Sequence, residues 1–488
     1  IQIIWVVVLV MRLNQYSQII TLLTVAIELV LVLAVYSMDT NSAFKLPWII
    51  LITVAPIVGI CVFFLFGRSG ATKKVRARYR KIDQQLFAYL NQDEQIIDEL
   101  SKKDERLAND FKYLWKCASS PVYKNTDVKY YGDTCDAMAA QLEDMMQAKK
   151  FIFLEYHAIE MAESFQALRK VLMAKAREGV EIRILYDDAG CIGFLNPRFI
   201  KYMESMGIQC RVFNPIMPVL NIFMNNRDHR KITVIDGKVA YTGGYNLADE
   251  YFNITHPYGQ WKDSGIRFEG DAVQTATILF LEMWNALREQ DVDIEKYLPV
   301  YPYKAKEQGF FALYGDSPLD KEPAGENVYM NLLRHAKKYI YFTTPYLILS
   351  DEMTRELTGA AKRGVDVRII TPGIPDKKTI FQVTKSYYPQ LLKHGVKIYE
   401  YTPGFMHEKQ CICDGEIVVV GTINLDFRSL YLHFENAALF CGYEAVSHVK
   451  EDFDALFPIC KDMSKEPSER TRRLRLSQLI LRLFSPLM

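Results

Sequence analysis

The stretch DHRKITVIDGKVAYTGGYN, residues 228–246, carries the pattern on which the fold prediction rests. His229 and Lys231 stand two residues apart, Asp236 follows Lys231 by five residues, and Asn246 closes the run. The Asp-Gly step is typical of a tight turn between two antiparallel strands, and apolar residues dominate on both sides of it. Residues two apart on a strand share a face, so the pattern predicts an imidazole beside an ammonium group next to a buried hairpin.

A second copy of this pattern lies in MHEKQCICDGEIVVVGTIN, where the corresponding residues are His407, Lys409, Asp414 and Asn424. Flanking segments repeat in the same order: AKKFIF matches AKKYIY, AREGVEIRIL matches AKRGVDVRII, and GIQCRVF matches GVKIYEY. A repeat of this length indicates two structural units built to one plan. Both aspartates begin Asp-Gly turns, and we interpret them mainly as positioning residues of the motif.

Each copy alternates β-rich apolar runs with helix-like stretches that end in a basic turn followed by Gly. Such alternation predicts an α/β fold, with a mixed sheet covered by helices on both faces in each half. We place the first half at residues 121–305 and the second at residues 306–460, with the boundary in the Pro-, Gly- and charge-rich stretch 301–326. A chain of 488 residues is long enough for both halves to bury their own cores.

The first 66 residues are predicted to be a transmembrane anchor. Residues 19–38 and 46–66 are each long and apolar enough to cross a bilayer, whereas residues 1–11 are too short. Because the chain opens on Ile1 rather than on Met, we expect this first segment to be truncated. No small-residue cleavage site follows either long segment, which argues against a removed signal peptide.

A basic juxtamembrane linker, residues 67–120, sets the predicted orientation. Its first part contains basic residues and no acid: Arg68, Lys73, Lys74, Arg76, Arg78, Arg80 and Lys81. By the positive-inside rule, this run predicts a multi-pass membrane protein whose main body is cytoplasmic. The same charges would also hold anionic lipid headgroups at the bilayer surface.

Charge and cysteine usage exclude several classes of function. The net charge is +1, so the chain lacks the basic field that a nucleic-acid partner requires. The nine cysteines are scattered without a CxxC pair, and we interpret them as reduced thiols of a cytosolic body. No His/Asp/Glu ligand set and no Gly-rich phosphate loop is recognisable, so the sequence predicts neither a metal nor a cofactor.

The two motifs suit chemistry at a phosphate group. A neutral imidazole is a nucleophile or a base near pH 7. Lysine and asparagine side chains donate hydrogen bonds to oxygens that gain charge in the transition state. If the two halves face each other about a pseudo-twofold axis, one histidine attacks phosphorus and the other protonates the leaving alcohol.

This constellation resembles the phospholipase D superfamily, and the match covers about residues 120–460. The resemblance implies a pair of similar α/β halves with one active site between them and a covalent phosphohistidine intermediate. It implies His229 as the nucleophile and His407 as the general acid and base. By motif position, the phosphate-binding residues are Lys231, Lys409, Asn246 and Asn424. The acids that orient the imidazoles correspond to Asp263 in WKDSG and Glu435 in HFEN.

The phrases FLEYHAI, NNRDHRKI, FTTPYLI and GTINLDFRSL, together with the apolar N-terminus, resemble the bacterial cardiolipin synthases of this superfamily. The resemblance implies an enzyme of the bacterial cell membrane that joins two phosphatidylglycerol molecules into cardiolipin and glycerol without a nucleotide. Two departures stand out. Asp228 occupies a position where Asn is expected, and Arg227 is available to offset its charge or to contact phosphate. The stretch YLHFEN, which contains Glu435, is an uncommon variant of the family sequence at that place.

Apolar segments adjoin both histidines, at residues 215–224 and at Phe405-Met406. They would either keep water from the reacting centre or belong to the ordinary core. The tail, residues 461–488, is predicted to be a basic amphipathic helix. It would lie on the membrane, on the body of the protein, or on a second subunit of a homodimer.

Three rival functions remain open from the sequence. One is a hydrolase, or a phosphatidyltransferase with another alcohol acceptor, which would use the same chemistry. A nuclease is the second, and the near-zero net charge and the apolar N-terminus count against it. The third is a non-catalytic membrane scaffold, against which the presence of both complete motifs argues.

Overall fold

The computed structural model describes residues 17–64, 73–195, 198–216, 225–288, 291, 293–466, 474 and 476–487. It opens with the helices α1 (Ser17–Tyr36), α2 (Ser42–Val54) and α3 (Pro56–Val62). The segment 46–66, which the sequence predicts to be long enough for a span, is not a single helix among the described residues, because the helix breaks between α2 and α3. Pro56 explains the break, since proline has no N–H to donate and its ring clashes with the preceding turn.

Within the described part of the chain, none of the helices combines the length and the apolar character needed to cross a bilayer. Several segments singled out in the sequence lie outside the described residues: the apolar residues 1–11, Arg68 of the linker, residues 217–224, and Arg470, Arg472, Arg473 and Arg475 of the tail. All nine cysteines are described, and each is a free thiol.

The first half is built on a mixed sheet in the strand order β1-β9-β7-β6-β2-β3-β4. Its central strands β2 and β6 are buried along their whole length. The strands of this half are β1 (Thr126–Tyr131), β2 (Phe151–Tyr156), β3 (Glu181–Asp187), β4 (Gln209–Phe213), β5 (Arg227–Asp228), β6 (Ile232–Ile235), β7 (Val239–Gly243), β8 (Gln260–Lys262) and β9 (Gly265–Gly270).

The second half repeats this plan in the order β10-β17-β16-β15-β11-β12-β13, with β18 added at the edge. Each strand takes the place of its counterpart in the first sheet, as the sequence repeat predicts. These strands are β10 (Phe310–Asp316), β11 (Tyr339–Thr343), β12 (Asp366–Pro372), β13 (Lys397–Tyr401), β14 (Gly404–Met406), β15 (Gln410–Cys413), β16 (Ile417–Gly421), β17 (His433–Cys441) and β18 (Cys460–Asp462).

Helices cover the sheets, and one of them lies in the middle of the core. The helices that follow α3 are α4 (Lys73–Leu86), α5 (Glu94–Lys103), α6 (Glu105–Ala118), α7 (Thr134–Gln147), α8 (Glu163–Arg177), α9 (Phe199–Ser205), α10 (Val273–Leu287), α11 (Ala324–His335), α12 (Asp351–Lys362), α13 (Lys378–Lys393), α14 (Phe427–Tyr431), α15 (Glu444–Leu456) and α16 (Leu476–Phe484). Helix α10 is apolar around its circumference and almost completely buried, because it packs on both sheets at once. The two sheets also meet directly, with the rings of Phe268 and Phe311 4.9 Å apart.

Short 3₁₀ turns complete the secondary structure, at Phe87–Tyr89, Asp249–Phe252, Glu295–Tyr297, Phe457–Ile459, Met463–Lys465 and Ser485–Leu487. The sequence predicted a helix from residue 461. In the structure, β18 and a 3₁₀ turn precede α16, which begins at Leu476. Helix α16 packs on the body: the Arg482 guanidinium lies 4.1 Å from the centroid of the Tyr387 ring on α13. Its other side leaves apolar side chains exposed, namely Leu476, Leu479 and Ile480.

The Asp-Gly hairpins have the predicted turn geometry in both halves. Asp236 and Asp414 each have a φ of 53°, and the following glycines also have positive φ, as a two-residue turn between twisted strands requires. Asp236 accepts three backbone hydrogen bonds at the start of β2, from Lys149, Lys150 and Phe151. Asp414 accepts the equivalent bonds at the start of β11, from Lys337, Lys338 and Tyr339. Both carboxylates therefore position strands.

The two halves exchange short strands immediately before each histidine. Strand β5 pairs with β17 of the second half, and the His229 N–H donates to the Phe434 oxygen at 2.9 Å. Strand β14 pairs with β8 of the first half, and the His407 N–H donates to the Lys262 oxygen at 2.8 Å. We expected one continuous strand through each His-x-Lys segment. The strand breaks there because the chain pairs with the opposite half before the histidine and with its own sheet after it.

Candidate active site

His229 is paired with an acid that comes from the second half. Its Nδ1 atom lies 2.9 Å from both carboxylate oxygens of Glu435. Glu435 is completely buried and also accepts hydrogen bonds from the hydroxyls of Thr422 and Ser429. An ionised carboxylate only accepts hydrogen bonds, so Nδ1 carries the imidazole proton and Nε2 keeps its lone pair.

His407 is paired with an acid from the first half. Its Nδ1 atom lies 2.5 Å from Oδ2 of Asp263, whose other oxygen accepts a hydrogen bond from the Ser264 N–H at 3.0 Å. Gly244 lies directly against this carboxylate, because a Cβ atom at that position would be 2.1 Å from Oδ1. The corresponding residue in the second half is Thr422, so the two histidine–acid pairs have different surroundings.

The motif lysines fold back over the histidines. The Lys231 ammonium donates to the backbone oxygen of His229 at 2.7 Å. The Lys409 ammonium donates to the backbone oxygen of His407 and lies 2.7 Å from its Nδ1 atom. Both lysines are buried, so each ammonium group lies beside the histidine of its own motif and is shielded from solvent.

The two asparagines are buried beside the motifs. Asn246 accepts from the Ala158 N–H at 3.1 Å and donates to the Tyr251 hydroxyl at 2.8 Å. The side-chain oxygen of Asn424 makes no hydrogen bond to any described residue. Asn246 is therefore held in place by neighbouring groups, whereas Asn424 keeps an unused acceptor.

Electrostatics join the two motifs into one centre. Burial lowers the pKa of His229 and of His407 well below the usual 6.5, and the lysines of both motifs lower each pKa further. Burial also lowers the pKa of Lys231 to about 7 and that of Lys409 to about 8. A charge influences a pKa in this way only at short range. The site therefore combines two neutral imidazoles with two partly protonated lysines near pH 7.

Burial raises the pKa of Asp263 to about 6, and the positive charge of Lys409 opposes the rise. The carboxyl is therefore still ionised near pH 7, as its contact with the Nδ1–H of His407 requires. Burial raises the pKa of Asp228 to about 6, and the nearby Arg230 guanidinium limits that rise. Arg227, for which the sequence left open a contact with Asp228 or with phosphate, donates to Asp187 at 3.4 Å and to the Asn214 backbone oxygen at 2.9 Å.

The two histidines have contrasting neighbours. Imidazoles flank His229: the ring centroids of His157 and His433 lie 5.0 and 5.6 Å from its own. Aromatic side chains surround His407, with ring centroids at 5.2 Å for Tyr251, 5.0 Å for Trp261 and 5.8 Å for Phe405. The His407 side of the site is therefore the more apolar one.

Several of these neighbours were not identified from the sequence. His157 follows strand β2 at its carboxyl end, which is where sites gather in α/β sheets, so its position was a usable signal. The Nδ1 atom of His157 lies 2.8 Å from the backbone oxygen of Asp228. Thr422 and Ser429 carried no signal, because hydroxyl residues are common throughout such loops.

The fold also assembles a group of metal-ligand types that the sequence did not reveal. Single ligand atoms of His229, His433 and Glu435 all lie within 4.8 Å of one another. His229 is far from His433 and Glu435 in the chain, and the pairing of β5 with β17 brings it to them. The sequence shows no such ligand set, whereas the fold brings this one group together among the described residues.

Comparisons with known proteins agree with this architecture. The family model described as "Cardiolipin synthase, PLD-like domain" matches residues 142–284 and 329–457, which include both motifs. A cardiolipin synthase of Halalkalibacterium halodurans is 32% identical, over 90% of this chain and 86% of its own length. Cardiolipin synthase 2 of Bacillus cereus is 31% identical, over 91% of this chain and 86% of its own length.

An uncharacterized protein of Streptococcus mutans is 39% identical and spans 94% of this chain and 99% of its own length. Among solved structures, the phosphatidylserine synthase of Haemophilus influenzae superposes with a TM-score of 0.58 at 13% identity. That similarity covers 78% of this chain and 98% of the other, and it confirms the fold of two α/β halves. The chain therefore belongs to the cardiolipin synthase family of phospholipase D-like phosphatidyltransferases.

Proposed function

We propose that this protein is a cardiolipin synthase that transfers a phosphatidyl group between two phosphatidylglycerol molecules. The observation that carries the proposal is the exchange of histidine–acid pairs between the halves, His229 on Glu435 and His407 on Asp263. Membership of the cardiolipin synthase family supports the same substrate. His229, Lys231, His407 and Lys409 act on the substrate, and Asp236 and Asp414 act by positioning the strands that carry them.

In the first half-reaction, Nε2 of His229 attacks the phosphorus of one phosphatidylglycerol. The P–O bond to the glycerol headgroup breaks, and His407 gives its Nε2 proton to the departing oxygen, which leaves phosphatidyl-His229 and free glycerol. Lys231, Lys409 and the motif asparagines bind the non-bridging oxygens as their charge grows. His407 is protonated at this point because the bound phosphodiester anion offsets the lysine charges that lower its pKa.

In the second half-reaction, the now neutral His407 takes the proton of the terminal hydroxyl of a second phosphatidylglycerol. That oxygen attacks phosphorus, the P–N bond to His229 breaks, and cardiolipin forms. One phosphodiester is broken and one is made over the two steps, so no nucleotide is required. The acids act through the imidazoles: each holds its Nδ1–H and thereby aims Nε2 at the substrate.

The surroundings of His407 favour a lipid alcohol over water as the acceptor. Tyr251, Trp261 and Phe405 form an apolar wall around the ring that accepts the proton. Water gains few hydrogen bonds beside such a wall, whereas the glycerol and acyl groups of a lipid contact it favourably. This feature supports a synthase over a hydrolase with the same catalytic residues.

The test is a product analysis with the purified full chain and phosphatidylglycerol in mixed micelles. We expect cardiolipin and glycerol in equal amounts, without a metal or a nucleotide in the buffer. Phosphatidic acid as the main product would overturn the proposal in favour of the hydrolase. A mixed diester formed in preference to cardiolipin when another alcohol is supplied would favour a different phosphatidyltransferase.

The pH dependence should follow the two lysines. With pKa values lowered to about 7 and about 8, Lys231 and Lys409 lose their phosphate-binding charge as the pH rises from 7 to 9. Because the reaction also takes up the proton that His407 donates, kcat/KM should already decline by about tenfold per pH unit above the lowered pKa of His407, and more steeply once one lysine is deprotonated. In kcat the decline should begin at higher pH, because the bound phosphodiester anion raises both lysine pKa values.

Initial rates at several phosphatidylglycerol concentrations between pH 6 and pH 9.5 check this expectation. The substrate phosphodiester stays a monoanion throughout, so the alkaline decline reports groups of the protein. Because both histidine pKa values are lowered, protonation of the nucleophile should not reduce the rate until well below pH 6.5. A flat profile up to pH 9.5 would contradict the role given to the buried lysines.

Replacement of Gly244 by alanine should damage the site without touching a motif residue. The added Cβ would lie 2.1 Å from Oδ1 of Asp263, so the carboxylate must move away from His407. A displacement on this scale is expected to lower kcat by about 100-fold. Gly359→Ala is the matched control, since a Cβ at that half-buried position of α12 would meet only the tip of Arg363 at 3.9 Å.

Both variants are measured for cardiolipin formation and for thermal unfolding. Gly359→Ala should keep full activity and gain slightly in stability, because alanine favours a helix. Full activity in Gly244→Ala would show that the contact of Asp263 with His407 is not needed for turnover.

The N-terminal helices hold the catalytic body at the cell membrane as a multi-pass anchor, with the body on the cytoplasmic side. Exposed apolar side chains on α1, α2 and α3 support this proposal, for example Leu22, Val30, Val54 and Ile57. So does the basic run that follows them. Protein that stays in the membrane pellet after alkaline carbonate extraction would agree with an anchor, and full release into the supernatant would contradict it.

A further inference from the structure

The two ring nitrogens of His433 are buried but make no hydrogen bond to a described residue. The side chain as a whole is 12% exposed. The closest acid is Glu435, with Oε1 at 3.8 Å from Nδ1, which is too far for a hydrogen bond. A neutral imidazole has one donor and one acceptor, and native proteins seldom leave both unused in the interior. An added ligand would explain the arrangement.

The strand geometry aims His433 at the same space as His229. His433 and Glu435 are two apart on β17 and therefore share a face. In the pairing of β17 with β5, His433 stands opposite Arg227, which is two residues before His229. Single ligand atoms of His229, His433 and Glu435 consequently lie within 4.8 Å of one another, and His229 and Glu435 approach to 2.9 Å.

This set has the chemistry of a transition-metal site. Two imidazole nitrogens and one carboxylate oxygen are ligands that zinc and cobalt prefer, at metal–ligand distances of about 2.0–2.2 Å. Tetrahedral ligands then lie about 3.4 Å apart, so small rotations of the His433 ring would close the group around an ion.

We propose that His229, His433 and Glu435 form a binding site for a zinc-class divalent ion, and that occupancy of this site inhibits phosphatidyl transfer. The ion takes the place of the proton that Nδ1 of His229 shares with Glu435, and that proton moves to Nε2 of the same ring. Protonated Nε2 has no lone pair with which to attack phosphorus, so the nucleophile is blocked. The inhibitory part rests on the proposed function, whereas the binding part does not.

Binding is tested on the purified full chain in detergent with Co²⁺, whose visible absorption reports tetrahedral nitrogen and oxygen ligands. We expect an absorption that saturates at one equivalent and disappears when Zn²⁺ is added. His433→Asn should weaken Co²⁺ binding at least tenfold, since an amide is a poor ligand for these ions. His448→Asn is the matched control, because His448 is 45% exposed on α15. The Co²⁺ affinity of this variant should equal that of the unaltered chain.

Inhibition is tested by adding Zn²⁺ to the cardiolipin assay. The unaltered chain and His448→Asn should lose activity together as Zn²⁺ is added and regain it with a chelator. Relative to its own metal-free rate, His433→Asn should need at least ten times more Zn²⁺ for the same fractional loss of activity. Equal Co²⁺ affinity of His433→Asn and the unaltered chain would overturn the site, and one-to-one binding without inhibition would overturn its regulatory effect. Absence of cardiolipin synthesis with intact Co²⁺ binding would instead reject the proposed function and leave the metal site supported.

Discussion

His229→Ala is expected to lower cardiolipin formation by at least about 10⁴-fold, because the nucleophile that forms the covalent intermediate is removed. The acid–base partner and both lysines remain, so binding of phosphatidylglycerol should change little. The effect therefore falls on kcat rather than on KM. Initial rates of glycerol release and of cardiolipin formation measure both steps, and each should fall by the same factor.

The control for this variant is the exposed His448→Asn, which should behave as the unaltered chain does. Thermal unfolding should show that His229→Ala still folds, since the Glu435 carboxylate keeps its hydrogen bonds from Thr422 and Ser429. Retention of more than about a tenth of the activity would contradict the nucleophilic role of His229, given the magnitude expected for such a residue.

His407→Ala is expected to trap the phosphatidyl group on the protein. The variant lacks the base that activates the second alcohol, so the intermediate on His229 should persist once it has formed. Formation is also slow without a proton donor when glycerol is the leaving group. A nitrophenyl ester of phosphatidic acid avoids this difficulty, because nitrophenolate departs without protonation.

With that ester, His407→Ala should release one nitrophenolate per chain in a burst and then stop. Mass spectrometry of proteolytic fragments should locate the phosphatidyl group on His229. The unaltered chain should turn over continuously when phosphatidylglycerol is supplied as acceptor. His229→Ala should show no burst, and a burst in His229→Ala but not in His407→Ala would mean that the two histidines have the opposite roles.

Much of the fold could be predicted because its signals are local. Turn chemistry at Asp236 and Asp414, Gly residues after basic helix ends, and the apolar strands each depend on a few neighbouring residues. The repeat then implied that both halves follow one plan, and the strand orders agree with that expectation. The break at Pro56 and the late start of α16 depart from the prediction, because overall hydropathy and amphipathic spacing do not reflect a single proline or the pairing of a strand.

The candidate site was only partly accessible to the same reasoning. His229, Lys231, His407 and Lys409 belong to compact motifs, so their grouping is visible in the sequence. Side chains that reach the site from other elements have no such spacing. His157 enters from the end of β2, Ser429 from α14 and His433 from β17. Their presence beside the histidines depends on tertiary contacts, which the order of residues does not display.

By itself, the sequence determined that the chain has two α/β copies of one motif, each with a histidine and a lysine suited to phosphate chemistry. Only the tertiary structure decided which acid serves which histidine. Strands β5 and β14 cross to the opposite half, so Glu435 holds His229 and Asp263 holds His407. The same crossing brings His433 to His229. The physical reason is that backbone hydrogen bonds between the halves set these positions, and a backbone bond carries no residue-specific signature in the sequence.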